Sequence, residues 1–255
     1  MSWQTSALDR WYYSKPGWKG GTERFHDWVE ETASPRGCCL EIGAGPENAT
    51  SKFLASHFDA VDGLDIDEAV RRNPHLRAAW VYDGGEFPIA GESYECLVAD
   101  YVLEHVRRPS LLLSEALRVL KPGGRFFFRT PNLWHYVSLG ARLTPHWVHG
   151  RLANWLRRLP PEAHEPYPTF HRMNARRRLR RLALSAGFEN IQLRMIEAEP
   201  SYGLASRLLF YPFMIYERIV NSWRGFEPFR MNILGMIEKP RSAASGQRPA
   251  ARNAA

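Results

Sequence analysis

The stretch Leu40-Glu41-Ile42-Gly43-Ala44-Gly45-Pro46 joins a short apolar run to a helical pattern. Glycines at such a junction let the backbone turn tightly and let a ligand approach the N–H groups at the start of the helix. Asp65 ends the next apolar run, 22 residues after Gly43, where a carboxylate can accept both hydroxyl protons of a ribose. The spacing therefore predicts a nucleoside-binding turn between a first strand and a helix.

Short apolar runs alternate with helical patterns along the chain, which is typical of a parallel sheet whose strands are joined by helices. The predicted strands are Cys38–Ile42, Ala60–Ile66, Ala78–Tyr82, Tyr94–Ala99, Gly124–Phe128, Phe188–Met195 and Phe229–Glu238. Ser110 is the predicted N-cap of the helix before the fifth strand, and Lys121-Pro122-Gly123-Gly124 ends it. A later helix opens at Asn174 and stops at Gly187. We therefore expect an α/β fold with a parallel, doubly wound sheet, which has helices on both faces.

Two stretches depart from this alternation and are expected to form a helical cap inserted after strands five and six. They are residues 132–170, rich in tryptophan, histidine and proline, and residues 199–227, which have a mixed helical pattern. Together with them, one domain is predicted over residues 37–240. Residues 1–36 are a predicted helical lid, whose aromatic side chains either cover the ligand or only pack the first helix. Residues 241–255 are predicted to be a disordered tail.

The composition is that of an ordinary soluble globular protein. Of 255 residues, 44% are hydrophobic and 24% are charged, which excludes a wholly disordered, a collagen-like and a disulfide-rich chain. Three cysteines without a Cys-x-x-Cys spacing argue against a disulfide framework and a zinc knuckle. The N-terminal stretch carries no apolar core of a secretory signal, and the apolar stretch Leu208–Tyr216 is far shorter than the roughly 20 residues of a spanning helix. We expect a cytoplasmic protein.

The positive charge is concentrated in one segment. The formal net charge is +7, and residues 141–181 alone carry ten arginines and two glutamates, a local +8 that leaves −1 for the rest. Arg176–Arg181 is most simply the solvated face of a helix whose Leu179 and Leu182 face the core. An anionic substrate and an anionic membrane surface are the alternatives, so a peripheral membrane contact stays open.

Two features of the glycine turn separate the candidate ligands. A dinucleotide fold carries a third glycine where this chain has Asn48, so that fingerprint is broken. Glu41 stands two residues before the first glycine, and a negative group there suits a cationic ligand better than a pyrophosphate. After the third strand, Asp83-Gly84 offers a carboxylate or a backbone amide to an adenine edge. The turn therefore favours a cationic nucleoside ligand.

Together, these motifs resemble the class I S-adenosylmethionine-dependent methyltransferases of the broad small-molecule kind. The resemblance covers about residues 37–130, with a later fit at Ala186-Gly187-Phe188. The matching motifs are Glu41-Ile42-Gly43-Ala44-Gly45, Gly63-Leu64-Asp65-Ile66-Asp67, Asp83-Gly84-Gly85-Glu86-Phe87-Pro88-Ile89, Ser93-Tyr94-Glu95-Cys96, Tyr101-Val102-Leu103-Glu104-His105-Val106 and Leu120-Lys121-Pro122-Gly123-Gly124. They are specific for the cofactor and for the fold, and the resemblance implies a Rossmann-like, seven-stranded, mostly parallel sheet with helices on both faces. They do not identify the substrate.

The resemblance implies that S-adenosylmethionine binds at the carboxyl ends of strands one to four. The implied cofactor-binding residues are Glu41, Gly43, Ala44, Gly45, Asp65, Ile66, Asp83, Gly84 and Asp100. Of these, Asp65 would hold the ribose hydroxyls, Ile66 would pack on the adenine, and Asp83 would meet its edge. Asp100 and the neighbouring Tyr101 would face the sulfonium and the substrate.

Methyl transfer is an in-line displacement that alignment and desolvation accelerate, so the sequence need not contain an obvious base. The catalytic candidates are nevertheless Tyr101 and two histidines. His135 follows strand five, and His171 precedes the basic helix. His105 is interpreted as structural. No metal is expected, since the His146-x-x-His149 pair has no acidic partner nearby.

The predicted function is transfer of a methyl group from S-adenosylmethionine to a small organic acceptor, lipophilic or anionic. Oxygen is the expected acceptor atom, because the cap is rich in histidine. Two alternatives stay open: an RNA methyltransferase that uses the basic residues 141–181, and a non-catalytic methyltransferase-like binding module. A nucleic-acid partner is not expected, because Ala99-Asp100-Tyr101-Val102 lacks the Asp/Asn-Pro-Pro-Tyr/Phe run of amino-directed nucleic-acid enzymes. The oligomeric state stays open.

Overall fold

Seven strands form one sheet in the computed structural model, which describes residues 3–33, 36–143, 167–198 and 206–241. They are β1 (Cys38–Ile42), β2 (Ala60–Asp65), β3 (Ala78–Val81), β4 (Tyr94–Asp100), β5 (Leu120–Pro131), β6 (Glu189–Ile196) and β7 (Asn232–Glu238). The strand order is β3-β2-β1-β4-β5-β7-β6, with β1 to β5 parallel and β7 antiparallel to both β5 and β6. The expected Rossmann-like, mostly parallel sheet is thus confirmed.

Helices cover both faces of this sheet among the described residues. They are α1 (Trp3–Leu8, continued by a π-helical turn at Asp9–Tyr13), α2 (Gly21–Thr32), α3 (Ala49–His57), α4 (Pro109–Val119), α5 (Tyr136–Leu143), α6 (Arg176–Ala186) and α7 (Arg207–Ser222), with 3-10 turns at Glu68–Arg72, Leu103–His105 and Arg224–Phe229. Side chains alternate across a strand. Phe126 and Phe128 of β5 therefore pack with residues of α4 and α6, and Phe127 packs on the other face with residues of α2 and α3.

Two helix starts differ from the sequence-based expectation. α4 begins at Pro109, so Ser110 lies inside its first turn and is not the N-cap. Proline suits the first helical position because its missing N–H has no helical partner to lose. α6 begins at Arg176 instead of Asn174. The Asn174 side chain is buried and donates to Thr130 Oγ1 (2.8 Å), which ties this residue to β5 instead of to the helix.

The segment Lys121-Pro122-Gly123-Gly124 belongs to β5 and is not a turn outside it. Its backbone has partners beyond the end of β7: the Gly123 N–H donates to the Lys239 carbonyl (3.0 Å), and the Lys239 N–H donates to the Gly124 carbonyl (2.9 Å). These bonds extend the strand toward α4. At the other predicted stop, Gly187 ends α6 with a φ of +99°, as expected.

The described parts of the two cap insertions pack against each other. Tyr136 of α5, after β5, stacks on Phe213 of α7, after β6, with ring centroids 4.9 Å apart, and its ring meets the edge of Tyr216 at 4.8 Å. Residues 144–166 and 199–205 of the expected cap, and 242–255 of the expected tail, lie outside the described residues. Within the described ranges, no helix is long and apolar enough to cross a membrane.

The N-terminal helix packs on α7. Tyr12 is buried and donates its hydroxyl to Glu217 Oε2 (3.1 Å), and Leu8 and Tyr12 form a small apolar cluster with Phe210. None of the described residues 3–33 lines the cleft described below. The contacts seen pack this segment on α7, and a lid over the ligand stays a prediction.

The arginine-rich helix α6 has one buried and one solvated face. Leu179 and Ala183 are buried, whereas the arginines at positions 176, 177, 178, 180 and 181 are exposed. Arg176 lies 3.5 Å from Glu227 (Nη1 to Oε2). In the described part of the basic segment, the arginines thus form the solvated face that the spacing of the leucines favours.

Candidate functional site

A cleft of about 650 Å³ opens at the carboxyl ends of β1, β2 and β4. β1 lies between β2 and β4, so the order of the sheet reverses here, and ligands of open α/β sheets bind at such a point. Seven of the residues predicted from the sequence line the cleft: Gly43, Asp65, Ile66, Asp83, Gly84, Asp100 and Tyr101. The fold thus brings most of the candidate site together on one surface.

The turn after β1 requires glycine at two positions. Gly43 and Gly45 have φ values of +76° and +55°, in the left-handed region that favours glycine. A Cβ on Gly43 would lie 2.3 Å from Val102 Cγ2, whereas a Cβ on Gly45 would meet no atom within 4 Å. The turn therefore packs tightly at its first glycine and leaves open space at its second, where a ligand can approach the backbone.

Asp65 connects the ends of β1 and β2. Its Oδ2 accepts the Gly45 N–H (2.9 Å), and its Oδ1 accepts the Asp67 N–H (3.0 Å). Each carboxylate oxygen keeps a second lone pair. Both oxygens can therefore still accept a hydroxyl proton from a ligand in the cleft, as the predicted ribose contact requires.

Glu41 lies behind the turn and does not line the cleft. It is 2% exposed and accepts hydrogen bonds from Ser51 Oγ (2.6 Å) and Asn48 Nδ2 (3.1 Å). Burial raises the pKa of Glu41 to about 7. Asn48, at the position of the missing third glycine, caps α3 by accepting the Ser51 N–H (2.8 Å) and also donates to the carbonyl of the buried Ala44 (2.7 Å). These contacts brace the turn from behind.

An open glycine beside a carboxylate recurs after β3. Asp83 Oδ1 accepts the Gly85 N–H (2.8 Å), and Gly84 has a φ of +79° with no atom within 4 Å of a Cβ built on it. The Gly84 carbonyl accepts from Arg108 Nη2 (3.2 Å). Ile66 lines the same cleft and is 53% exposed, which leaves an apolar surface for a planar base.

Arg129 is a site residue that the sequence analysis missed. It is 4% exposed, and its Nε and Nη2 donate to Oδ1 and Oδ2 of Asp100, both at 2.6 Å. Thr50 Oγ1 also donates to Asp100 Oδ2 (2.9 Å). Asp100 therefore reaches the cleft with its charge already paired. The parallel register places Asp100 directly opposite Arg129, so aligning the polar ends of strands four and five would have found the pair.

Tyr101 follows β4 in an unusual backbone conformation, with a φ of +57°. Such a conformation costs a non-glycine residue about 1–3 kcal/mol, so its neighbours must hold it. Its hydroxyl donates to Asn232 Oδ1 (3.0 Å), and the Arg129 guanidinium carbon lies 4.5 Å from its ring centroid. Burial raises the pKa of Tyr101 to about 12. The phenol thus stays protonated near neutral pH and is suited to orienting a ligand.

Of the described histidines, His105 lines the cleft, and the two predicted candidates do not. His135 is 1% exposed, and its Nε2 lies 3.6 Å from Glu197 Oε2. His171 has a φ of +49°, and its N–H donates to the Glu104 carbonyl (3.1 Å). The sequence signal for His105 is its place in the motif after strand four, although its interpretation from the sequence alone is structural.

The tautomer of His105 follows from its hydrogen bond. Its Nδ1 lies 3.1 Å from the Pro168 carbonyl oxygen. Because a carbonyl only accepts, Nδ1 carries the proton, and Nε2 is the lone-pair acceptor of the neutral ring. The adjacent Glu104 is buried, which raises its pKa to about 7, and it accepts from Thr130 Oγ1 (3.0 Å). The bond to Pro168 orients the His105 ring at the cleft.

The cap contributes Tyr167 to the cleft. Its hydroxyl donates to Asp67 Oδ2 (3.0 Å), and its ring centroid lies 6.1 Å from that of His105. The Phe170 N–H donates to the Glu104 carbonyl (2.7 Å). Residues 167–171 thus connect the end of β2 to the turn after β4 beside the candidate site.

Residues 18–193 match the model of a family described as a methyltransferase domain. A probable S-adenosylmethionine-dependent methyltransferase of Mycolicibacterium smegmatis is 36% identical over 99 residues, which are 36% of this chain and 37% of that protein. A demethylmenaquinone methyltransferase of Tropheryma whipplei is 32% identical over 123 residues, which are 45% of this chain and 50% of that protein. The chain spans half or less of the length of these curated relatives.

Solved structures share the fold at low sequence identity. The [4+2]-cyclase SpnF matches with a TM-score of 0.55 and 16% identity, over 91% of this chain and 86% of that chain. A SAM-dependent methyltransferase from Archaeoglobus fulgidus matches with a TM-score of 0.54 and 13% identity, over 93% of this chain and all of that chain (100%). At this identity the likeness establishes the α/β fold alone.

Proposed function

This chain belongs to the methyltransferase domain family, and on that premise we propose that it is an S-adenosylmethionine-dependent methyltransferase acting on a small organic acceptor at oxygen. The observation that carries the proposal is the cleft at the switch point of the sheet. There, the Asp65 carboxylate, Gly43 of the turn after β1 and the open Gly84 line the same space. One relative is named a demethylmenaquinone methyltransferase, which supports a small organic acceptor.

The residues of the cleft fit the cofactor. Asp65 has two lone pairs left for the ribose hydroxyls, and Asp83 with the Gly84 backbone would meet the adenine. The exposed Ile66 side chain would pack on the adenine plane. The open Gly45 would admit the methionine part. When bound, S-adenosylmethionine supplies an activated methyl group on a positively charged sulfur.

The remaining lining suits an acceptor that is partly apolar and partly anionic. Val102, Val106 and Leu112 supply apolar surface, and Arg107 and Arg108 supply positive charge. Tyr101 and Tyr167 add aromatic rings. Holding the acceptor against these groups orients its nucleophile and removes water, which accelerates an in-line displacement.

His105 is the group we propose as the base. A hydroxyl acceptor must lose its proton when the oxygen forms its bond to carbon. His105 lines the cleft, and its bond to Pro168 leaves Nε2 as the acceptor of that proton. Tyr101, with its raised pKa and its bond to Asn232, would orient the acceptor. His135 and His171, predicted as bases from the sequence, contribute no lining to the cleft.

The test is transfer of a labelled methyl group from S-adenosylmethionine to a panel of acceptors, beginning with hydroxylated lipophiles. We expect a product methylated at oxygen, identified by mass spectrometry, and no product with Asp65→Ala. Methylation confined to nitrogen, carbon or sulfur acceptors would contradict the choice of oxygen. No transfer to any acceptor, with bound cofactor, would favour the non-catalytic binding module.

A further inference from the structure

Helix α7 has apolar side chains on two opposite faces. Phe210 and Val220 are buried in the protein. On the other side are Leu208, Tyr211, Ile215 and Ile219, which are 87%, 47%, 54% and 49% exposed and which we call the α7 stripe. At 100° per residue these four side chains fall within a sector of about 80°, opposite the buried face.

The stripe is an apolar surface where a globular protein ordinarily presents polar residues. Single exposed apolar residues are common, but a contiguous exposed set on one helix marks a contact surface. Trp223, which follows α7, is 64% exposed and extends the set. Trp and Tyr prefer the boundary between water and the acyl region of a bilayer.

Arginines lie at both ends of the α7 stripe, and the two segments that pack together here carry a net positive charge. Residues 3–18 and 206–224, which pack together, contain five basic and two acidic residues. The acid of α7, Glu217, is buried and bound to the Tyr12 hydroxyl and to Asn221. Arg207, at the start of the helix, and Arg224, just beyond its end, are both exposed. The stripe is therefore bounded at both ends by exposed arginines.

A groove beside the stripe combines cations with indole rings. Trp11, Lys15, Trp18 and Arg218 line an open groove of about 490 Å³. Arg218 lies 3.3 Å from Glu217 (Nε to Oε2) and donates to the Trp11 carbonyl (3.2 Å), which holds it at this place. Cations and tryptophans together are the groups that meet phosphate headgroups at a membrane surface.

We propose that the α7 stripe docks on the surface of a membrane that contains anionic lipids. The stripe would enter the boundary between headgroups and acyl chains, and the arginines at its ends would meet lipid phosphates. A second copy of the chain fits less well, since a symmetric contact would bring the same cations against each other. This attachment goes beyond the proposed function because it needs no methyl transfer.

The test is co-flotation of the full chain with vesicles of phosphatidylcholine, with and without added phosphatidylglycerol. We expect binding to the anionic vesicles that weakens with salt. The double variant Ile215→Asp/Ile219→Asp should lower the partition coefficient by at least about tenfold. Arg207→Gln and Arg224→Gln should each lower it by about fivefold.

Two controls separate docking from other causes. Leu184 is 55% exposed on α6, so Leu184→Asp places the same charge at a similarly exposed site outside the stripe and should bind like the wild type. Asp65→Ala should also bind vesicles like the wild type. A failure of the cofactor-site proposal would therefore not be mistaken for a failure of membrane docking.

Three results would overturn the proposal. The first is no binding of the wild type to anionic vesicles at low salt. The second is an equal loss of binding with Leu184→Asp. The third is sedimentation that shows a wild-type dimer, a monomeric Ile215→Asp/Ile219→Asp variant and no vesicle binding, which would make the stripe an interface between copies.

Discussion

Asp100 and Arg129 form a two-point ion pair at the ends of the neighbouring strands β4 and β5, with both N–O distances 2.6 Å. The Arg129 side chain is 5% exposed and that of Asp100 is 13% exposed. The guanidinium also lies over the Tyr101 ring, 4.5 Å from its centroid. The pair therefore connects the ends of two strands to Tyr101, which lines the cleft.

Removing one partner of this pair should destabilise the protein strongly. Arg129→Met leaves a poorly solvated Asp100 charge, and we expect a loss of about 3 kcal/mol or more in the free energy of unfolding. Chemical denaturation measures it. The double variant Arg129→Met/Asp100→Asn should lose less than the single variant. The exposed pair Arg71–Glu68 is the control, and Arg71→Met should cost less than about 1 kcal/mol. Equal costs for Arg129→Met and Arg71→Met would contradict this account.

Glu41 should make the protein less stable as the pH rises. Its pKa in the folded protein, about 7, lies above its ordinary value of 4.5. The stabilisation is thus fully present below about pH 4.5 and is lost as the pH rises through about 7. Glu41→Gln should remove the Glu41 share of this dependence, up to ~1.4 kcal/mol per pH unit, in unfolding free energies measured across that range. The share of Glu104, whose pKa is also raised to about 7, should remain. Glu31→Gln, at an exposed carboxylate of α2, should leave the dependence unchanged. Parallel curves for the wild type and Glu41→Gln would refute the assignment.

The first glycine of the turn should tolerate substitution less than the second. Gly43→Ala combines a positive φ with a Cβ 2.3 Å from Val102 Cγ2, whereas Gly45→Ala meets only the positive φ. We expect Gly43→Ala to lose more than the roughly 1–2 kcal/mol that Gly45→Ala costs, measured by chemical denaturation. Val102→Ala in the Gly43→Ala background should recover part of the difference. If the two alanine variants were equally stable, the close packing on Val102 would be wrong.

His105 should control the rate of methylation at oxygen. His105→Gln keeps a polar side chain but removes the base, and we expect kcat to fall by about 10²-fold or more while cofactor affinity is unchanged. The pH–rate profile should lose the limb that reports the base. His135→Gln, assayed on folded protein, should retain most of the wild-type kcat. If His135→Gln lowered kcat and His105→Gln did not, the base would be His135, as predicted from the sequence.

The parts of the site that follow a strand were predictable from the sequence. Asp65 and Asp83 end apolar runs, and the carboxyl ends of parallel strands meet at one edge of the sheet, so the chain order alone brings them together. Gly43 and Gly45 were predictable for a local reason, because the turn after β1 needs their backbone freedom.

The rest depends on contacts between distant parts of the chain. Arg129 belongs to the site because the sheet register places it opposite Asp100. His105 is oriented by its hydrogen bond to the Pro168 carbonyl, 63 residues away in the sequence. His135 has a pattern equally suited to catalysis, but its burial against Glu197 and Tyr216 is decided by the packing of the cap. The pattern of a single element does not show such pairings, and only an alignment of strands four and five would have indicated that of Arg129 with Asp100.

The central claim is that Asp65 anchors S-adenosylmethionine at the glycine turn, and calorimetric titration with S-adenosylmethionine and S-adenosylhomocysteine tests it most directly. We predict saturable binding of both to the wild type and no detectable binding to Asp65→Ala. Asp59→Ala, at an exposed carboxylate just before the opposite end of β2, should bind like the wild type. Unchanged binding to Asp65→Ala, or no binding to the folded wild type, would contradict the claim.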